Sequence, residues 1–240
     1  MKNRMSKKLS TQYTSDMFNI YEVNSNIELV PKNGQYNQMF IFLHDIGDSA
    51  YGYIDFFTSK KSFVPERTKI ALLSAPMRYL TCFGGFETRA WFDCIDPEVV
   101  PEIEDKTISD CIVNEIQEEG ILHDYNQFYI GGFGQGASVA LNILFTINQS
   151  VAGIISLSGR LLKNSPIADV YIERRQNVNM LLGHGTKDET IPITVATKSY
   201  NYLNDLKNVT FKEYKDMGHC MSEEEINDVK MVFAKWVCHN

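Results

Sequence analysis

The stretch Gly131-Gly132-Phe133-Gly134-Gln135-Gly136-Ala137 is the segment on which the fold of this 240-residue chain can be argued. An apolar run over residues 127–131 precedes it, and small and apolar residues over 135–147 follow it. A strand, a glycine-rich turn and a helix fit for burial are typical of a parallel sheet. A nucleotide-binding loop stays open as an alternative, although Ala137 replaces its third glycine and the stretch lies late in the chain.

The rest of the chain alternates apolar runs with helix-like stretches. The runs predict strands at residues 39–44, 68–74, 127–131, 151–158, 178–183 and 209–214, the last more polar and edge-like. Helical spacing predicts helices at residues 108–116, 135–147, 193–206 and from 222 onward, where Ser222-x-x-Glu225 forms a capping box. This alternation predicts an α/β fold: a mostly parallel, doubly wound sheet with helices on both faces.

Composition narrows the function classes. The net charge of −7 argues against nucleic acid as the main partner, because neutralising phosphates needs clustered Lys and Arg. No apolar run reaches the roughly 20 residues that span a bilayer. The five scattered cysteines form no CxxC pair and no zinc spacing, so we expect reduced thiols, a cytoplasmic location, no metal and no organic cofactor.

The first residues differ from the rest. Lys2, Arg4, Lys7 and Lys8 come before any acidic residue, which predicts a solvated basic tail. A mitochondrial-type presequence is an alternative, and a tail held in place would indicate a protein partner. The predicted organisation is a basic N-terminal extension and edge-strand region, residues 1–37, and a single α/β domain, residues 38–240.

Five segments, in chain order, resemble the acyl-protein thioesterase/carboxylesterase family of the α/β-hydrolase superfamily. The resemblance covers roughly residues 38–237, and it is specific because order, spacing and dipeptides agree together. The segments are Ile41-Phe42-Leu43-His44-Asp45-Ile46-Gly47-Asp48, Ser74-Ala75-Pro76-Met77-Arg78 through Trp91-Phe92-Asp93, Gly131–Gly136, His184-Gly185-Thr186-Lys187-Asp188-Glu189-Thr190-Ile191-Pro192, and Gly218-His219.

The resemblance implies a catalytic triad in the order Ser, Asp, His. Asp188 and His219 match the last two members, whereas Gly134 stands where the family motif G-G-F-S-Q-G has its serine. Glycine has no hydroxyl to deprotonate, so no acyl-enzyme can form at this position. Two other residues could replace the missing nucleophile, but neither is well placed. Ser138 lies one helical turn further on, and Cys220 is adjacent to His219, where neighbouring side chains diverge.

The resemblance also implies an oxyanion hole formed by the backbone N–H groups of Gln135 and Ile46. Here the chain departs from the family a second time, because Asp45 replaces the glycine that follows His44. Its carboxylate either faces the site, where it opposes a developing oxyanion, or points to solvent or caps a nearby helix.

Family members carry an acyl-binding groove, and the resemblance implies that this chain keeps one. The residues expected to shape it are Met77, Leu80, Phe83, Phe86 and Trp91. Ordinary packing beneath a loop is the alternative interpretation of the same residues.

Two functions follow from these departures. In the first, the chain is a catalytically inactive pseudoenzyme with a binding or structural role in an assembly. In the second, it is a Ser→Gly variant of a serine esterase or thioesterase acting on acyl (palmitoyl) thioesters or carboxyl esters, or it uses water activated by the Asp188–His219 pair.

Overall fold

A central sheet of nine strands dominates this computed structural model, which describes residues 6–9, 13–65, 67–94, 127–146, 150–162, 177–203 and 206–238. The strands of the described chain are β1 (Ser6–Lys8), β2 (Phe18–Val23), β3 (Asn26–Pro31), β4 (Gln38–Leu43), β5 (Thr68–Leu73), β6 (Met77–Leu80), β7 (Phe86–Arg89), β8 (Gln127–Phe133), β9 (Gly153–Leu157), β10 (Asn179–Gly185) and β11 (Val209–Tyr214). The sheet order is β1-β2-β3-β5-β4-β8-β9-β10-β11, and β6 and β7 form a separate hairpin.

Six neighbouring strands, β5-β4-β8-β9-β10-β11, run parallel. The N-terminal strands β1, β2 and β3 add antiparallel pairs at one edge. The predicted mostly parallel α/β sheet is therefore confirmed, and β11 lies at the opposite edge, as its polar sequence predicted.

Helices cover both faces of this sheet. They are α1 (Ile54–Thr58), α2 (Gln135–Thr146), α3 (Ile193–Asn201) and α4 (Glu223–Cys238) within the described residues, together with two short 3-10 helices, Ala50–Tyr53 and Thr81–Phe83. Every residue of β4 is buried, because alternate side chains enter two different cores. Met39 and Ile41 pack with α2 and α3, whereas Phe40 and Phe42 pack with α1 and α4.

The N-terminal region is tied to the sheet more firmly than a solvated tail. β1 pairs with β2, and Leu9 is buried against the α1/α4 core, which corrects the expectation for residues 6–9. Lys7 and Lys8 remain exposed. The predicted region 1–37 thus contributes edge strands to the same sheet as the predicted domain 38–240.

The helix predictions fare unevenly. The helix predicted at 135–147 is confirmed, the one at 193–206 ends at Asn201, and the one at 108–116 lies outside the described residues. Ser222 Oγ accepts the Glu225 N–H at 3.1 Å, as a capping residue does. No described helix is long and apolar enough to cross a membrane.

Candidate active site

The candidate site lies where four parallel strands end. Carboxyl ends of parallel strands meet at one edge of the sheet. Asp45 follows β4, Gly134 follows β8, Asp188 follows β10 and His219 follows β11. Residues more than 170 positions apart in sequence therefore meet at one point above the sheet.

Gly134 occupies the sharp turn between β8 and α2. Its φ of 57° lies in the left-handed region, which glycine adopts at little cost. A Cβ built on Gly134 would lie 2.2 Å from the Asp45 Cγ, so no side chain fits while Asp45 keeps its position. Gly136 serves the approach of strand and helix, since a Cβ there would lie 2.1 Å from the Leu43 carbonyl oxygen.

The Asp45 carboxylate faces the site and fills it. Its Oδ1 accepts the backbone N–H of Gln135 at 2.7 Å. Its Oδ2 lies 3.0 Å from Nε2 of His219. One carboxylate therefore engages the predicted oxyanion-hole donor and the predicted general base together, and it fills the space of the missing Gly134 side chain. Of the two orientations expected for Asp45, the one facing the site is found.

Asp188 holds the other side of His219. Its Oδ2 accepts a hydrogen bond from His219 Nδ1 at 2.7 Å. Its Oδ1 accepts the backbone N–H groups of Thr190 and Ile191 at 2.9 and 2.8 Å. Burial alone would raise the pKa of Asp188, but these hydrogen bonds and the nearby His219 charge hold that pKa below its usual value. The pair predicted from sequence is thus brought into contact with Asp188 ionised.

His219 is an imidazole between two carboxylates. Burial would lower its pKa, but the hydrogen bonds to Asp188 and Asp45 and their negative charges outweigh burial and raise the pKa to about 9. At neutral pH both ring nitrogens therefore carry protons and donate. A cationic histidine has no lone pair with which to accept a proton from a hydroxyl or a water.

His44 supports the loop and takes no part in this chemistry. The Ala75 N–H can only donate, so His44 Nε2, 2.9 Å away, is the acceptor. Nδ1 then carries the proton and donates to the Asp45 carbonyl at 2.6 Å. Burial lowers the pKa of His44, consistent with a neutral ring. Its two backbone partners fix where the chain turns after β4 and thereby where Asp45 points.

His184 has a similar bracing role. Its Nε2 donates to the Ile191 carbonyl at 2.7 Å and lies 3.4 Å from Asp188 Oδ2. Burial lowers its pKa, so the ring is neutral and shields the Asp188 carboxylate from water. This arrangement fixes the loop that carries Asp188 and involves no catalytic contact.

Gln135 joins the site to the Trp91–Phe92 segment. Its Oε1 accepts the Trp91 N–H at 2.6 Å, and its Nε2 donates to the Phe92 carbonyl at 2.8 Å. The Trp91 indole donates to the His44 carbonyl at 2.7 Å. The side chain of Gln135 is therefore structural, while its backbone N–H is the predicted oxyanion donor.

A cavity of about 340 Å³ opens beside the Asp45–His219 contact. Ile46, Phe83, Phe92 and Ile191 supply apolar parts of its wall. Phe92, Thr190 and Ile191 were missed by sequence reasoning, although each lies within a segment that carries the family resemblance. The cavity is consistent with a binding role for an apolar ligand.

Of the five residues predicted to shape an acyl-binding groove, Phe83 lines this cavity. Leu80 and Trp91 are buried in the protein, and Trp91 belongs to the α2/α3 core, so neither faces a groove. Met77 and Phe86 are exposed on the β6–β7 hairpin and do not line this cavity. Exposure along β7 does not alternate from one residue to the next, so the sequence of the hairpin does not reveal which of its side chains face inward.

Neither candidate replacement nucleophile is suitably placed. Ser138 Oγ donates to the Gly134 carbonyl at 3.2 Å and accepts the Arg160 N–H at 3.0 Å, so it braces the turn although it borders the cavity. Cys220 is exposed and lies outside the cavity wall. Within the described ranges, no group of three or more His, Cys, Asp or Glu residues is arranged to hold a metal ion.

Comparison with known proteins agrees with this architecture. Residues 24–237 match the Phospholipase/Carboxylesterase family. Acyl-protein thioesterase 1 of Candida albicans is 30% identical over 83% of this chain and 93% of its own length, and that of Saccharomyces cerevisiae is 29% identical over 82% and 92%. The crystal structure of Zea mays acyl-protein thioesterase 2 covers 88% of this chain and 98% of its own, with 25% identity and a TM-score of 0.75. The chain belongs to the phospholipase/carboxylesterase family of α/β hydrolases.

Proposed function

We propose that this chain is a pseudoenzyme of its family, one that binds a ligand in the retained pocket without hydrolysing it. The observation that carries the proposal is the Asp45 carboxylate, which engages both the Gln135 N–H and His219 Nε2. It stands where a nucleophile and a developing oxyanion would have to be.

Three steps of acyl transfer lack a group to perform them. Gly134 offers no hydroxyl to attack a carbonyl carbon. His219, with a pKa of about 9, is protonated near pH 7 and cannot act as the base. A negatively charged carboxylate at the Gln135 N–H repels an oxyanion, whereas a working hole stabilises one.

The same contacts argue against direct hydrolysis by water. A water activated by His219 needs the Nε2 lone pair, which is protonated and directed at Asp45. It also needs space beside Gly134, and Asp45 fills that space. Water-based turnover thus becomes the alternative that experiment has to exclude.

The ligand we propose is an acyl chain or an ester that carries one. The cavity wall supplies Ile46, Phe83, Phe92 and Ile191 as apolar contacts. Its relatives are acyl-protein thioesterases by name, which favours an acyl group over an unrelated apolar molecule. A protein partner in a larger assembly and a cytoplasmic location belong to the same proposal.

Ligand binding is tested with a fluorescent fatty-acyl probe. Phe83→Ala removes part of the cavity wall and should weaken probe binding severalfold. Phe86→Ala is the matched control, because Phe86 is on the same hairpin, 70% exposed and outside the cavity wall. Equal binding by both variants would contradict a ligand in this cavity.

Catalysis is tested with the purified full chain against a short p-nitrophenyl ester and an acyl thioester. We expect rates at the uncatalysed background, with no difference between the wild type and His219→Ala. Turnover well above background that His219→Ala abolishes would overturn the proposal and favour water activated by the Asp188–His219 pair.

A further inference from the structure

Two cysteines meet in the wall of the cavity. Cys82 lies in the 3-10 helix Thr81–Phe83, and Cys94 follows the Trp91–Phe92 segment. Both side chains line the cavity, yet neither takes part in the contacts around His219. Cys82 is partly exposed and Cys94 is buried.

Hydrogen bonds hold the two segments side by side. The Cys82 N–H donates to the Cys94 carbonyl at 2.7 Å. One residue earlier, Thr81 donates its N–H and its hydroxyl to the two Asp93 carboxylate oxygens, at 2.8 and 2.7 Å. The two thiols are near enough for Cys82 to help raise the pKa of Cys94. A direct backbone hydrogen bond keeps the Cα atoms of its two residues close to the roughly 4.4 to 6.8 Å that a disulfide spans.

We propose that Cys82 and Cys94 are a redox modification site, which forms a reversible disulfide in the cavity wall. The bond needs little backbone movement, because the Thr81–Asp93 and Cys82–Cys94 hydrogen bonds already align the two segments. The disulfide itself does not depend on the proposed function, whereas its effect on ligand binding rests on that function.

A hydroperoxide is the chemical class of oxidant that the pair would meet through the cavity. Cys82 sulfur attacks the terminal peroxide oxygen, the O–O bond breaks, and Cys82 becomes a sulfenic acid while the peroxide leaves as an alcohol or water. Cys94 sulfur then attacks Cys82 sulfur, an S–S bond replaces the S–O bond, and water leaves with the Cys94 proton. Two electrons pass from the thiols to the peroxide, and an added dithiol reverses the change.

The two cysteines take different roles in this sequence. Burial raises the pKa of Cys94 to about 12, with the neighbouring Cys82 thiol adding to the effect, so Cys94 is a poor first reactant. Cys82 is the more accessible thiol and therefore the one that meets the oxidant. Cys94, held on the adjoining segment by the backbone hydrogen bond, resolves the sulfenic acid.

Oxidation would fix the shape of the cavity. Phe83 directly follows Cys82, and Phe92 lies two residues before Cys94; both are wall residues. The disulfide closes a short loop containing β7 and removes the freedom of these two aromatic side chains to separate. Ligand access would then depend on the oxidation state of the pair.

Peptide mapping of the full chain tests the site. The reduced protein is equilibrated with hydrogen peroxide or glutathione disulfide, remaining thiols are alkylated, and non-reduced peptides are identified by mass spectrometry. We expect a Cys82–Cys94 cross-linked peptide that a dithiol removes. Cys82→Ser should leave Cys94 as a free thiol, and the control Cys220→Ser/Cys238→Ser, which removes two exposed cysteines, should keep the cross-link.

The proposal would be overturned if Cys82 and Cys94 stay reduced, and are therefore alkylated, at every oxidant level while Cys220 and Cys238 become oxidised. The fluorescent fatty-acyl probe tests the consequence: oxidation should change its affinity at least threefold in the wild type and leave Cys82→Ser unchanged. If the disulfide is mapped but the probe affinity does not change, the inference that oxidation controls ligand access to the cavity would be overturned. Ester turnover by the wild type would overturn the proposed function and leave the mapped disulfide standing.

Discussion

At the scale of single residues, Asp45 and Gly134 are two halves of one change. The family resemblance implies a glycine at 45 and a side chain at 134; this chain has the reverse. The Asp45 carboxylate lies 2.2 to 2.5 Å from the position of a Gly134 Cβ, so the two sites cannot both carry side chains in this geometry. Each departure therefore makes the other tolerable.

The charge of Asp45 should be readable in the titration of His219. Asp45→Asn keeps the shape and removes one of the two carboxylates that raise the His219 pKa to about 9. We expect that pKa to fall by roughly one to three units, measured by NMR of the labelled imidazole. Asp48→Asn, on the same loop, is the matched control and should leave the pKa near its wild-type value. An unchanged pKa in Asp45→Asn would mean that Asp45 does not contact the ring in solution.

Steric coupling between positions 45 and 134 should be measurable in the free energy of unfolding. Gly134→Ser puts a side chain at a φ of 57° and displaces Asp45, so it should lower the free energy of unfolding by roughly 1–3 kcal/mol. Asp45→Gly removes the displaced group and should recover part of that loss. A double-mutant cycle by urea denaturation is expected to give a coupling of roughly 0.5–3 kcal/mol. Additive effects would show that the two side chains do not compete for space.

At the scale of elements, α4 carries an unusual residue into the core. The helical spacing of Ile226, Val229, Val232 and Phe233 predicts that these residues form the buried face of α4. Val229 and Phe233 are buried, and Glu225 is buried with them. Both Glu225 carboxylate oxygens lack a hydrogen-bond partner among the described residues. The side chain fits over Gly183 of β10, where a Cβ would lie 2.3 Å from its Oε1. A capping-box pattern predicted a Glu225 side chain turned back to the helix start, and burial overrides that local preference.

Burial gives α4 a pH dependence whose sign is fixed. Desolvation, with the nearby Asp228 charge, raises the Glu225 pKa from 4.5 to about 8, so the folded state holds a proton that the unfolded chain releases. The contribution of Glu225 to stability is therefore complete below pH 4.5 and is lost as the pH rises toward 8. The contribution of His219 to stability is also lost as the pH rises, but only above 6.5, the pKa of this group in the unfolded chain. Between pH 5 and 6.5 the buried His44 and His184, whose pKa values are lowered, change stability in the opposite direction, so Glu225 is isolated by comparison with a variant that cannot ionise at position 225.

Urea unfolding at pH 5 and pH 6.5 measures this effect. Relative to Glu225→Gln, which stays neutral at position 225, the wild type should lose up to about 2 kcal/mol across that interval, at 1.36 kcal/mol per pH unit. Glu223→Gln, an exposed neighbour on the same helix, should behave as the wild type. Parallel profiles for the wild type and Glu225→Gln would mean that Glu225 is ionised or hydrated in the folded protein.

At the scale of the whole molecule, the fold could be predicted because its signals are local and repeated. Apolar runs predicted β4, β5, β8, β9, β10 and β11, and their parallel order brings the four strand-end residues together. The direction of the Asp45 side chain could not be predicted, because it depends on where His44 and His219 sit across the sheet. The cavity wall was also missed in part, since the β6–β7 hairpin decides which of its side chains turn outward.

The central claim is that Asp45 closes the site, and labelling by a fluorophosphonate probe tests it most directly. Gly134→Ser alone should label no faster than the wild type, because the displaced Asp45 carboxylate stays on the same loop beside the site, where its charge keeps His219 protonated and opposes an oxyanion. Asp45→Gly/Gly134→Ser should label strongly, and adding His219→Ala should abolish that labelling. Rapid labelling of Gly134→Ser alone, equal to that of the double variant, would contradict the account.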